Sequence, residues 1–122
     1  MTWLKIAALN LAVGVTLGAF GAHGLKDMVG AYEIGIWQTA TLYLFVHALG
    51  LLALGVLDAF GRHRVHLPAG LLQAGVLIFS GTLYAIALGA PKWLGMVTPI
   101  GGVLMILGWL CLAFILPSKS AK

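Results

Sequence analysis

Charge is what this chain has least of. Its 122 residues include three carboxylates, Asp27, Glu33 and Asp58, against seven Lys or Arg. They form no paired-carboxylate motif of the kind general acid–base chemistry uses. The single cysteine, Cys111, excludes an intramolecular disulfide and leaves the redox compartment unread. It sits within an apolar run, where a thiol behaves as a small hydrophobic residue. No Ser–His–Asp constellation and no phosphate-cradling loop is present. The glycine-rich Gly18–Gly24 ends an apolar run and follows no strand pattern, so it is not a nucleotide fingerprint. These absences argue against an enzyme and point to no cofactor or metal.

What is present is apolar. Ile6–Leu25, Ile34–Leu57, Val65–Pro91 and Trp93–Ser118 contain no Lys, Arg, Asp or Glu, over 20, 24, 27 and 26 residues. A hydrocarbon core of about 30 Å is crossed by about 20 helical residues. Lipid offers no hydrogen-bond partners, so each stretch must satisfy its backbone as a helix. A transmembrane barrel would alternate over segments of about ten residues, whereas Leu71–Leu88 runs without charge and without that alternation. The expected fold is an all-α integral membrane protein, one domain over residues 1–122. Its four transmembrane helices are expected at about 4–23, 37–58, 67–89 and 97–116, joined by short loops. Leu25, Met28, Val29, Tyr32 and Ile36 share helical spacing, which predicts a short interfacial helix between helices 1 and 2. Reading residues 1–22 as a cleaved signal peptide is the rival, and it would leave three spans.

The charges that remain mark span ends. They stand in ones and twos, which is no nucleic-acid surface. With four spans, Lys5, Arg62, Arg64, Lys119 and Lys122 fall on one side, against Lys26 and Lys92 on the other. This bias predicts both termini in the cytoplasm. Arg62, His63, Arg64 and His66 read as topology anchors in a solvated loop, with only weak attraction for anionic lipid.

The spans carry a modest set of polar and small residues. Asn10, Gly14 and Gly21 share a side of span 1, and Gly14 with Gly18 permits close helix approach. Packing within the chain is the expected use of that face, and dimerisation the alternative. Thr39, Tyr43, His47 and Gly50 share a face of span 2; Gln73, Ser80 and Tyr84 share one of span 3. Gly101 and Gly108 give span 4 a small-residue face. By depth, His23, Thr39, Tyr43, Ser80, Tyr84 and Thr98 fall in the outer half of the bilayer, with His47 near its middle. These seven are the candidate polar site. Haem or metal ligation by His23 and His47 is disfavoured by their separation in depth, roughly 10 Å or more from the helical rise. The expectation is that His47 hydrogen-bonds a neighbouring helix through Tyr84, Ser80 or Asn10, and that His23 caps span 1 or meets the first loop.

The same residues carry a family pattern. Gly18-Ala-Phe-Gly-Ala-His-Gly24, Gln38-Thr39, Tyr43, His47-Ala48, Phe79-Ser-Gly-Thr-Leu-Tyr84 and Thr98-Pro-Ile-Gly-Gly102 occur in order across nearly the whole chain. The chain resembles the small membrane proteins grouped as domain of unknown function 423, which include bacterial inner-membrane proteins and transmembrane protein 256 of animals. The resemblance implies four helical spans and no activity. Leu44 departs from the Gln that many members place there, which weakens any polar site on span 2. The expected location is a bacterial inner membrane. The expected role is non-enzymatic, through helix packing with a membrane-protein partner or another copy in the lipid bilayer. The alternative is a small-solute transporter or channel with its site around His47, the one ionisable group at mid-depth.

Overall fold

The computed structural model describes residues 2–61 and 64–115. Arg62, His63, Lys119 and Lys122 of the charge reading lie outside the described residues. Four long helices account for most of the chain: α1 Thr2–Ala22, α2 Ala31–Ala59, α3 His66–Ala87 and α4 Thr98–Ile115. Each is long and apolar enough to cross a membrane. The fold is an all-α membrane protein.

The connection after α1 differs in detail from expectation. A single 3-10 turn, Leu25–Asp27, is the short helix there, and α2 begins at Ala31 instead of Trp37. The reason is local. The Gly30 N–H donates to Glu33 Oε1 at 3.1 Å, which satisfies an otherwise orphaned donor and starts the helix. Tyr32, Ile34 and Ile36 therefore continue in register into the span. At 29 residues α2 is about 43 Å long, more than the hydrocarbon thickness, so its first turns stand at headgroup depth. The end of α3 is set by Gly89, whose φ of 105° only glycine adopts without strain. Gly89 N–H donates to Ile86 O at 3.0 Å and Ala90 N–H to Ala85 O at 2.9 Å. This is a Schellman stop, and Pro91 follows it. Pro68 and Pro99 sit in the first turns of α3 and α4, where a missing N–H breaks no bond.

The antiparallel pair α2 and α3 is the centre. α1 packs along α2, and α4 packs along α3. The core has three layers. At the end where the chain begins, Ala7, Leu51, Leu54, Val65, Ala69 and Leu72 are buried. Leu44, Val76 and Met105 fill the middle, and Leu25, Trp37 and Ala87 the far end.

Close approach between helices uses the small residues. A methyl on Gly101 would lie 2.5 Å from Phe79 N and 2.6 Å from Gly75 O, so α3 and α4 touch backbone to backbone there. The α1 face reads as expected of internal packing: Gly14 and Gly21 are buried, and Phe45 and Trp37 of α2 occupy the space a side chain at either would need. At these two positions the small residues serve packing within the chain.

Candidate functional site

In lipid a polar side chain needs a partner, and the nearest supply is its own helix or the next one. The threonines illustrate the first route. Thr16, Thr39 and Thr82 each donate to the carbonyl four residues back, at 2.9, 3.1 and 2.8 Å. The second route joins the helices. α1 and α2 are tied by Trp37 Nε1–H to Leu17 O at 2.8 Å. α2 and α3 are tied by Ser80 Oγ–H to Ala40 O at 2.7 Å and by the Thr41 and Tyr84 hydroxyls at 2.7 Å. The Thr82 and Thr98 hydroxyls, 2.6 Å apart, tie α3 to α4.

His47 is the centre of the remaining joint. It is 4% exposed. Its Nδ1 lies 2.8 Å from Tyr43 O, and its Nε2 lies 3.0 Å from Trp109 Nε1. A carbonyl only accepts and an indole N–H only donates. The partners therefore set the tautomer: a proton on Nδ1 and a lone pair on Nε2. The imidazole is neutral in this arrangement and both nitrogens are used. Tyr43 stacks on the ring at 6.0 Å between centroids and packs on Phe79 at 4.6 Å.

The seven candidate residues are thus distributed among separate places. Ser80 and Tyr84 line a groove between α1 and α3. Tyr43 and His47 face Phe79 and Trp109 instead. Thr98 pairs with Thr82. Thr39 and His23 are exposed. The partner of His47 is a correction to expectation: Trp109 and the Tyr43 carbonyl, not Tyr84, Ser80 or Asn10. Those three are occupied elsewhere, and His47 turns toward α4. Tyr84 meets Thr41, and Asn10 donates from Nδ2 to Gln73 Oε1 at 2.9 Å.

The Asn10–Gln73 pair was missed by sequence reasoning, although a signal for it exists. Asn10 is eight residues into α1 and Gln73 seven into α3, helices that start on the same side. Equal depth makes them natural partners. At the end where the chain begins, Trp3 Nε1–H donates to His66 Nδ1 at 3.0 Å. There His66 Nε2 stands 3.9 Å from Asp58. Among the described residues, no group of three His, Cys, Asp or Glu could hold a metal ion.

Four apolar helices joined by side-chain hydrogen bonds agree with what known proteins show. Residues 17–102 match the family described as protein of unknown function DUF423. The chain belongs to the DUF423 family. Its relatives include the UPF0382 membrane proteins of Staphylococcus saprophyticus, 45% identical over 90% of this chain and 92% of theirs, and of Staphylococcus epidermidis, 46% identical over 90% of each. A third, from a bovine strain of Staphylococcus aureus, is 43% identical over 90% of each chain. No solved structure matches. The matched segment runs from Leu17 to Gly102 and so contains the Trp37, Thr41, His47, Ser80, Tyr84 and Thr98 side chains. It ends before Trp109.

Proposed function

We propose that this DUF423 protein acts without catalysis, as a helical packing element that joins a larger membrane assembly. One observation carries the reading. Trp37, Thr41, Ser80, Thr82, Tyr84 and Thr98 are bonded across helix joints, and His47 has both ring nitrogens engaged. Ion-coupled transport needs an ionisable group at mid-membrane that is free to change charge. His47 would have to release Trp109 first, which favours packing over transport. The outward face of α4, with Ile106, Leu110 and Phe114 at 59, 50 and 78% exposure, offers apolar surface to lipid or to a neighbouring helix.

The test is extraction from native membrane in mild detergent, with and without prior crosslinking. A discrete associate or a defined oligomer is expected; a lone monomer in both conditions would sink the proposal. The bacterial inner membrane, with both termini cytoplasmic, completes the reading. In a Cys111→Ser background, an impermeant thiol label applied to intact cells should reach Lys26→Cys and Lys92→Cys but not Arg64→Cys. The opposite pattern would invert the topology.

A further inference from the structure

The groove between α1 and α3 has a volume of about 330 Å³, with Leu44 of α2 among its lining. Four polar residues line it. Two are satisfied, Ser80 by Ala40 O and Tyr84 by Thr41. The other two are not. Asn10 uses both amide hydrogens, on Ile6 O at 2.8 Å and on Gln73 Oε1 at 2.9 Å. The Ile6 carbonyl can only accept, which fixes the orientation of the Asn10 amide and, through it, that of Gln73. Asn10 Oδ1, an acceptor, and the Gln73 NH2, a donor, are left without partners among the described residues. Asn10 is only 8% exposed.

These groups lie deep. Counted along the helices, Asn10 is about 12 Å and Gln73 about 10 Å from the helix ends, well inside a hydrocarbon core of about 30 Å. An unmet amide at that depth is costly, because no water reaches it. Ester carbonyls and charged headgroups stay at the interface, out of range. A complementary occupant is uncharged, dissolves in the hydrocarbon and both gives and accepts a hydrogen bond. A hydroxyl does both.

We propose that this groove binds an uncharged, hydroxyl-bearing lipid. Its O–H donates to Asn10 Oδ1 and its oxygen accepts from Gln73 Nε2–H. The volume falls in the range of small-molecule sites, roughly 300–1,000 Å³, and so does the lining: apolar walls with a few placed polar groups. A helix from a second copy, about 10 Å across with its side chains, would lie over the groove without filling its floor. The proposal does not depend on the assembly reading.

The test uses the full chain in detergent and native mass spectrometry, with oleyl alcohol and octadecene as probes of matched tail length. The alcohol is expected to saturate at one per chain and to bind roughly tenfold more tightly than the hydrocarbon, as two hydrogen bonds of interhelical strength would give. Gln73→Met and Asn10→Leu each remove one of the two bonds and should each cut that preference to about threefold, and the double variant should abolish it. Gln73→Met keeps the length and shape of the side chain if Asn10→Leu does not fold. Ser80→Ala should leave the preference intact. Equal binding of the two probes, no saturable binding, or a preference undiminished in Gln73→Met would each overturn the proposal. So would a dimer that excludes the alcohol while Leu9→Cys crosslinks to its counterpart, since that assigns the groove to a second copy.

Discussion

The contact between α3 and α4 at Gly101 makes a sharp prediction, because its neighbour Gly102 serves as an internal control. In Gly101→Ala the new methyl would fall 2.5 Å from Phe79 N, 2.6 Å from Gly75 O and 3.0 Å from Phe79 Cα. All three are backbone atoms, so no side-chain rotation relieves the clash. Ordinary contact begins near 3.4 Å, so the helices must separate by roughly 1 Å. Dispersion attraction falls steeply over such a gap, and forced overpacking costs about 1–3 kcal/mol. In Gly102→Ala the methyl meets only Phe79 Cδ1, at 3.8 Å. That is normal contact, and alanine is intrinsically the better helix former. Thermal unfolding in detergent should show Gly101→Ala melting several degrees below the unaltered protein, with Gly102→Ala at or above it. Gly75→Ala meets Met105 N and Gly101 O at 2.8 Å and should be as damaging as Gly101→Ala. Combining Gly75→Ala with Gly101→Ala should cost less than the two separately, because one separation of the helices relieves both. Equal stability of Gly101→Ala and Gly102→Ala would refute the backbone contact.

Three further outcomes follow from the joints. Thr41→Val and Tyr84→Phe break one shared bond of 2.7 Å, so each should cost about 0.6–1.7 kcal/mol, and a double-mutant cycle should find them coupled. Trp109→Phe leaves His47 Nε2 without its donor; a destabilisation of about 1 kcal/mol is expected, and His47→Phe in the same background should add less than it does alone. Gly21→Ala places a methyl 2.5 Å from the Trp37 ring. That should loosen the Trp37 bond to Leu17 O and change tryptophan emission. An unchanged spectrum and melting curve would mean that Trp37 does not lodge there.

Much of this arrangement is legible in the sequence. Lys26, Glu33, Asp58, Arg64 and Lys92 bracket the apolar runs, and the helices end close to them. Pro91 marks a break after α3 through its own backbone restriction, while the stop itself falls at Gly89, which only its positive φ reveals. The small-residue faces of α1 and α4 were read correctly as packing surfaces, since a residue without a side chain is useful chiefly where another backbone or a large side chain comes near. The extension of α2 back to Ala31 was not read, because the helical spacing of Leu25–Ile36 is the same whether that segment lies in the interface or runs on into the span. The hydrogen bond from Gly30 to Glu33 decides between them.

The sequence by itself determined the class of this protein. Lipid leaves a charge-free run of 20 or more residues no stable option but a helix, and that constraint acts on each stretch alone. The partners of the polar side chains were decided only in three dimensions. Asn10 finds Gln73 across 63 positions and His47 finds Trp109 across 62. Such pairs depend on the rotation and depth of two helices at once, and hydropathy carries neither the rotation of a helix nor the identity of its neighbour. The same placement sets Asn10 and Gln73 on the wall of a mostly apolar groove.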